Sequence, residues 1–119
     1  MTNQSEHFEL GWFGNIWVRQ HILHKSGDAS VGHTHKFDHV TLLVKGSVEV
    51  SIEGYPPKQF QAPTFIVIRK EHQHTLTALE DECLYYCVFA LRNLDGEVVE
   101  DIYTEKHDPL SASGVNLNV

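Results

Sequence analysis

Three histidines, His33, His35 and His39, with a fourth at His74, are the residues of this chain whose type and spacing suit chemistry. In the stretch Gly27-Asp28-Ala29-Ser30-Val31-Gly32-His33-Thr34-His35-Lys36-Phe37-Asp38-His39 the first two imidazoles stand at i and i+2. On a strand such a pair points to one face, about 7 Å apart, where two ligands can share one metal ion. The short Lys36-Phe37-Asp38 stretch lets the chain turn so that His39 opens the next strand, and His74 arrives from elsewhere in sequence to close the shell. Four imidazoles on an octahedral divalent ion (Fe, Mn, Ni or Zn) leave positions open for water or a chelating substrate. An open position is what a catalytic metal requires.

An all-imidazole shell is neutral, so the ion keeps its full charge and favours anionic ligands such as enolates, diketonates and hydroxy or keto acids. It also supports a ferric state less than a shell with a carboxylate does. His72 is the alternative to His74, since residues two apart on a strand face the same way; the distance after the Thr64–Ile68 stretch favours His74, leaving His72 beside the shell or in the pocket. Asp38 is a rival carboxylate, but alternation from His39 turns it to the opposite face unless a bulge intervenes. His21 and Arg19 either line the same cavity or sit on a plain exposed strand face. His7, His24 and His107 read as surface residues, Tyr85, Tyr86 and Phe89 as core, and Thr41 and Glu49 have no supporting pattern.

The elements that must position these residues are strands. Apolar alternation with period two recurs, and no segment sustains a helical period. Ile16 to Leu23 alternates Ile16, Val18, Gln20, Ile22 against Trp17, Arg19, His21, Leu23. Val40 to Val44 and Val48 to Ile52 flank Gly46-Ser47, a pattern that predicts a hairpin with a tight glycine turn. Glu53-Gly54-Tyr55-Pro56-Pro57 reads as a loop on breaker chemistry. Thr64 to Ile68 and Leu76 to Leu79 read as strands bracketing His72 and His74. Cys83 to Leu91 is an apolar, aromatic, β-branched run that suits a buried strand, and Asn93-Leu94-Asp95-Gly96 supplies a hairpin turn into Val98 to Tyr103. Strands at this spacing predict a barrel or sandwich.

At 119 residues the chain is expected to form one domain, 1–119, with its core over about 12–104 and a polar tail over about 106–119. The formal net charge of −7, with Lys and Arg scattered, leaves no basic stripe for a phosphate backbone, which argues against a nucleic-acid partner. The polar N-terminus lacks signal-peptide order and no apolar run reaches membrane-span length, so no membrane partner and a cytoplasmic location are expected. Cys83 and Cys87, four apart on one strand, are separated by roughly 13 Å, too far to bond each other, and read as reduced thiols.

The chain resembles the cupin superfamily. The first cupin motif, G-x5-H-x-H-x3-E-x6-G, maps onto Gly27, His33, His35, His39 and Gly46 with every spacing kept; the acidic position alone differs, being His39. In the second motif, G-x5-P-x-G-x2-H-x3-N, only the histidine survives, as His74, with Pro63, Arg69, Glu71 and Ala78 at the other positions. The resemblance spans about Ile16 to Leu91. It implies an all-β, double-stranded β-helix, a jelly-roll-like barrel of two antiparallel sheets with the metal in its mouth, and a homodimer, since cupin domains of this kind commonly pair through sheet edges or faces.

Three functional readings are open. The leading one is a small-molecule metalloenzyme that binds an oxygenated organic anion bidentately, as in cupin dioxygenases that cleave diketones or flavonols. The second is a redox-neutral sugar or sugar-acid isomerase, epimerase or lyase in which the metal stabilises an enediolate. The third is a non-catalytic module that captures a small ligand, its metal structural or absent.

Overall fold

Runs of β-branched and aromatic residues that alternate inside and outside fit a pleated surface and little else, and they form the sheets of this protein. The computed structural model describes residues 6–32, 36–99 and 115–116. The strands are β1 (Glu6–Phe13), β2 (Ile16–Leu23), β3 (Ala29–Val31), β4 (His39–Lys45), β5 (Ser47–Ile52), β6 (Lys58–Gln61), β7 (Thr64–Ile68), β8 (His74–Ala78), β9 (Cys83–Ala90) and β10 (Val115–Asn116). There is no helix among the described residues. The first sheet runs β10-β1-β2-β9-β4-β7 and the second β3-β8-β5-β6, and every pairing is antiparallel. The fold is thus all-β, as expected.

The sheets face each other over a core of Leu23, Leu43, Val48, Val50, Ile66, Ile68, Leu76, Ala78, Cys83 and Tyr85. Each of these is an inward residue of its strand, and together they fill one end of the barrel. At the other end the inward residues become polar or aromatic and the packing opens into a cavity.

Gly46 departs from expectation. The residues on either side do form strands, but β4 pairs with β7 and β9 in the first sheet, whereas β5 pairs with β6 and β8 in the second. The turn therefore carries the chain from one sheet to the other and makes no hairpin. Glycine is needed twice over: its φ is +88°, and a Cβ there would lie 2.6 Å from Cys83 Sγ. The Asp95-Gly96 turn does reverse the chain, with Asn93 N–H donating to the Glu97 carbonyl and Val99 N–H to that of Leu91. The remainder of the predicted strand, Glu100 to Tyr103, lies outside the described residues.

The domain also reaches further than the apolar pattern suggested. β1 begins at Glu6, ahead of the expected core boundary, and β10, within the stretch expected to be a polar tail, pairs with β1 through Gly11↔Asn116 and Trp12↔Val115. The short β3 and β6 are likewise additions to the strands expected from alternation. Pairing at a sheet edge is made by backbone N–H and C=O groups, so it leaves little trace in side-chain hydropathy.

Candidate functional site

Strand register builds the cavity wall row by row. Trp17 pairs with Phe89, Arg19 with Cys87, and His21 with Tyr85 across β2 and β9, while Thr41 pairs with Cys87 across β4. His39 continues the outermost of these rows, its ring edge-on to Phe89 at 6.3 Å. From the second sheet, Ser30 pairs with Leu76, and Gly32 N–H donates to the His74 carbonyl at 2.8 Å. Period-two alternation turns all of these inward. They enclose a cavity of about 370 Å³, lined by His39, His74 and Gly32 with Arg19, His21 and Ser30 among others. That volume lies in the range of small-molecule pockets.

Adjacent register pairs become ring contacts. Trp17 and Phe89 stack with centroids 4.5 Å apart, and His21 and Tyr85 stack at 4.5 Å with their planes 8° from parallel. Phe37 packs on Phe89 at 5.0 Å, and the Arg92 guanidinium carbon stands 5.1 Å from the centre of the Phe37 ring. Ser30 Oγ lies 3.5 Å from His21 Nδ1.

His39 opens β4 and His74 opens β8, so imidazoles from the two opposed sheets meet in one cavity, both buried and with ring centroids 5.5 Å apart. Two imidazoles bound to one ion with nitrogens about 2.1 Å away would have ring centroids about 4.7 Å apart at the cis angle of an octahedral ion and about 5.4 Å apart at a tetrahedral angle. The His39–His74 separation falls near the upper of these. Gly32 is the cradle of the second ring: a Cβ on it would lie 2.5 Å from Cε1 and 2.7 Å from Nε2 of His74. His33 and His35 lie outside the described residues. Among the described residues no group of three His, Cys, Asp or Glu is placed to hold an ion, so His39 and His74 are the two expected ligands whose meeting can be seen.

Of the alternative residues, His72 is not in this cavity. It lies in the turn before β8, where strand alternation does not operate, with its ring edge-on to Tyr55 at 5.3 Å and its side chain on a surface groove with Glu53 and Glu71. Asp38 is exposed and turned away: its Oδ1 accepts the Lys70 backbone N–H at 2.8 Å and its Oδ2 the Arg69 guanidinium at 3.2 Å. The Lys70 N–H, followed by Arg69, holds this carboxyl below the ordinary carboxylate range. The pair of contacts ties the segment leading to His74 to the residue that precedes His39. Arg19 and His21 do line the cavity, which removes the plain exposed-face reading for both.

β9 carries more of the site than its expected role as core implied. Tyr85 is buried as expected, yet it also forms wall, and half-buried Phe89 and Cys87 face the cavity. Their i, i+2 spacing along one strand face was the available signal. Tyr86 points the other way and accepts a hydrogen bond from Gln20 Nε2 at 2.8 Å. His24 is at the surface, 3.3 Å from Glu82. His107 and the His7 side chain lie outside what is described.

No protein-family model and no curated protein matches this sequence. Solved structures match by shape. A cupin of the RmlC-like type with a double-stranded β-helix from Methanocaldococcus jannaschii superposes with a TM-score of 0.64 at 12% identity, over 75% of this chain and 83% of that one. KdgF from a Halomonas species gives 0.60 at 21% identity, over 78% and 86% of the two chains. A protein with a cupin-2 domain from Shewanella frigidimarina gives 0.58 at 16% identity, over 74% and 83%. At such identities the likeness shows the fold alone: this chain has the double-stranded β-helix of the cupins. No helix among the described residues is long and apolar enough to cross a membrane.

Proposed function

We propose that the protein is a mononuclear metalloenzyme that holds one divalent ion on His33, His35, His39 and His74 and acts on a small oxygenated organic anion, with dioxygenase-like cleavage of a chelating diketone- or flavonol-type substrate as its reaction. The observation that carries this reading is the convergence of His39 and His74 from opposite sheets in one cavity, with Gly32, the residue before His33, shaped to receive the His74 ring. When bound, the ion would polarise a chelating oxygen pair and lower the pKa of that ligand.

The chain's own residues supply the rest. Both imidazoles are buried, and the Asp38 clamp holds the approaches to both strands. Trp17, Phe89 and Tyr85 line the space with flat apolar surface, which suits a conjugated substrate and excludes water around it.

The test begins with metal content. Protein made without a metal-affinity step should carry about one equivalent of metal by elemental analysis, and chelator should lower its melting temperature. His33→Ala and His74→Ala should each abolish metal retention. Oxygen uptake on adding a diketone, absent anaerobically, would then mark the oxidative reaction; turnover without oxygen uptake would transfer the case to the redox-neutral alternative. Protein with no metal and a melting temperature indifferent to chelator would leave only the ligand-binding reading.

A further inference from the structure

Antiparallel sheets that face water on one side alternate apolar inward and polar outward. The second sheet obeys this, since its outward rows pair Glu49 with Gln59 and Thr77, and Ser51 with Thr75. The first sheet does not. Across β2, β9, β4 and β7 its register carries one outward row through Val18, Val88, Val40 and Val67, and the next through Gln20, Tyr86, Leu42 and Phe65. Phe65 is 75% exposed and Val67 55%, with Val44 beside them on β4 at 49%, and the other members of the two rows are half-buried. β4, β7 and β9 are near-continuous apolar runs, the pattern of strands covered on both faces, yet among the described residues only their inner face is covered.

We propose that this outer face is the docking surface for a second copy of the chain, the two six-stranded sheets packing face to face. The cupin resemblance leaves open which surface joins two copies; these rows point to this one. Their side chains carry no charge, so two chains of formal net charge −7 can meet here without burying an ion. Their polar members already meet each other, the Gln20 amide donating to the Tyr86 hydroxyl at 2.8 Å, which lowers the cost of removing water from them. The face is also self-complementary: one row is all valine, and the bulkier row lies about 7 Å away along the strands. A two-fold axis in the contact plane, crossing the strands between the rows, lays the bulky row of each copy on the valine row of the other, so that Phe65 of one copy meets Val67 of the other. With Ile22, Leu84 and Val44 at the margin, the area open to contact is roughly 600–700 Å² per copy, close to the ~800 Å² per partner of a standard interface. The face lies on the opposite side of β2, β4 and β9 from the cavity, so its use does not depend on a bound metal.

Sedimentation equilibrium of the full chain over about 1–200 μM tests this. The wild type should show a concentration-dependent species of twice the 13.6 kDa mass of one chain. Phe65→Glu and Val67→Glu each put a charge on the face, and each should weaken association by about thirtyfold or more. Both side chains are exposed in the single chain, so the far-ultraviolet circular dichroism of these variants should match that of the wild type. Tyr55→Glu, at a comparably exposed aromatic position in the loop after β5, should leave association unchanged. In a mixture of isotope-labelled and unlabelled wild type, filtered NMR should show contacts between the Phe65 ring of one copy and the Val67 methyls of the other, a readout that does not depend on any variant folding. Cosedimentation with phosphatidylcholine vesicles tests a lipid surface as the competing occupant. A wild type that is monomeric throughout, a dimer indifferent to Phe65→Glu and Val67→Glu, an absence of Phe65–Val67 contacts between copies, or vesicle binding by the wild type that Phe65→Glu removes would each overturn the proposal.

Discussion

Gly32→Ala is the sharpest probe of how His74 is seated. The Gly32 backbone is not in the left-handed region, so alanine meets no conformational strain there, and with open space around it the change would stabilise the fold by about 0.4–1 kcal/mol through the unfolded chain. The space is not open. The new Cβ would lie 2.5 Å from His74 Cε1, about 0.9 Å short of ordinary 3.4 Å contact. Gly32 N–H is also bonded to the His74 carbonyl at 2.8 Å, so the two backbones cannot simply drift apart. Overpacking of this kind costs about 1–3 kcal/mol, which for a domain of this size lowers the melting temperature by roughly 4–12 °C. The decisive measurement is a double-mutant cycle in metal-free protein by urea denaturation. In the His74→Ala background the clash partner is gone, and Gly32→Ala should become neutral or stabilising by up to about 1 kcal/mol. An equal cost in both backgrounds would refute the placement of the His74 ring against Gly32. As a separate readout, a ring pushed by most of an ångström should hold zinc at least about tenfold more weakly against a chromophoric chelator.

Asp38→Asn tests the clamp between the residue before β4 and the Arg69-Lys70 turn. The folded carboxyl releases its proton more readily than the unfolded one, so its contribution is present at neutral pH and is lost as pH falls below about 4, through the depressed folded value. Wild-type urea midpoints should therefore drop more between pH 7 and pH 3 than those of Asp38→Asn; parallel profiles would show that the clamp does not contribute. Alkylation should separate the two thiols, neither of which is in a disulfide. Cys83 is fully buried, with its Sγ donating to the Ser47 and Glu80 carbonyls, whereas half-buried Cys87 faces the cavity. Iodoacetamide should modify Cys87 in the native protein and Cys83 only on unfolding, as read by peptide mass spectrometry; equal rates would contradict the orientation of β9.

Much of this architecture was legible in linear form, because strand identity follows from local alternation. β2 and β7 have the bounds expected of them, and β4, β5, β8 and β9 differ only at their ends. The histidine spacing likewise pointed to His39 as a strand-opening residue and to His74 as its distant partner. Pairing partners of the strands were not legible. A glycine between two apolar runs reads as a hairpin whether the second run returns beside the first or crosses to the opposite sheet, as it does at Gly46, since the local backbone requirement is the same in both cases.

The sequence by itself determined an all-β chain, with imidazoles spaced for one strand face and a tight glycine turn at Gly46. Only the tertiary structure decided that His39 and His74 meet while His72 points to an outer groove, that the more polar face of β2 turns inward, and that Arg19, His21 and Ser30 share one interior. The physical reason is range. Alternation and turn chemistry act over a few residues, whereas the choice of which face is buried is made by all strands at once, when two sheets close over a common interior and one end of it remains hollow.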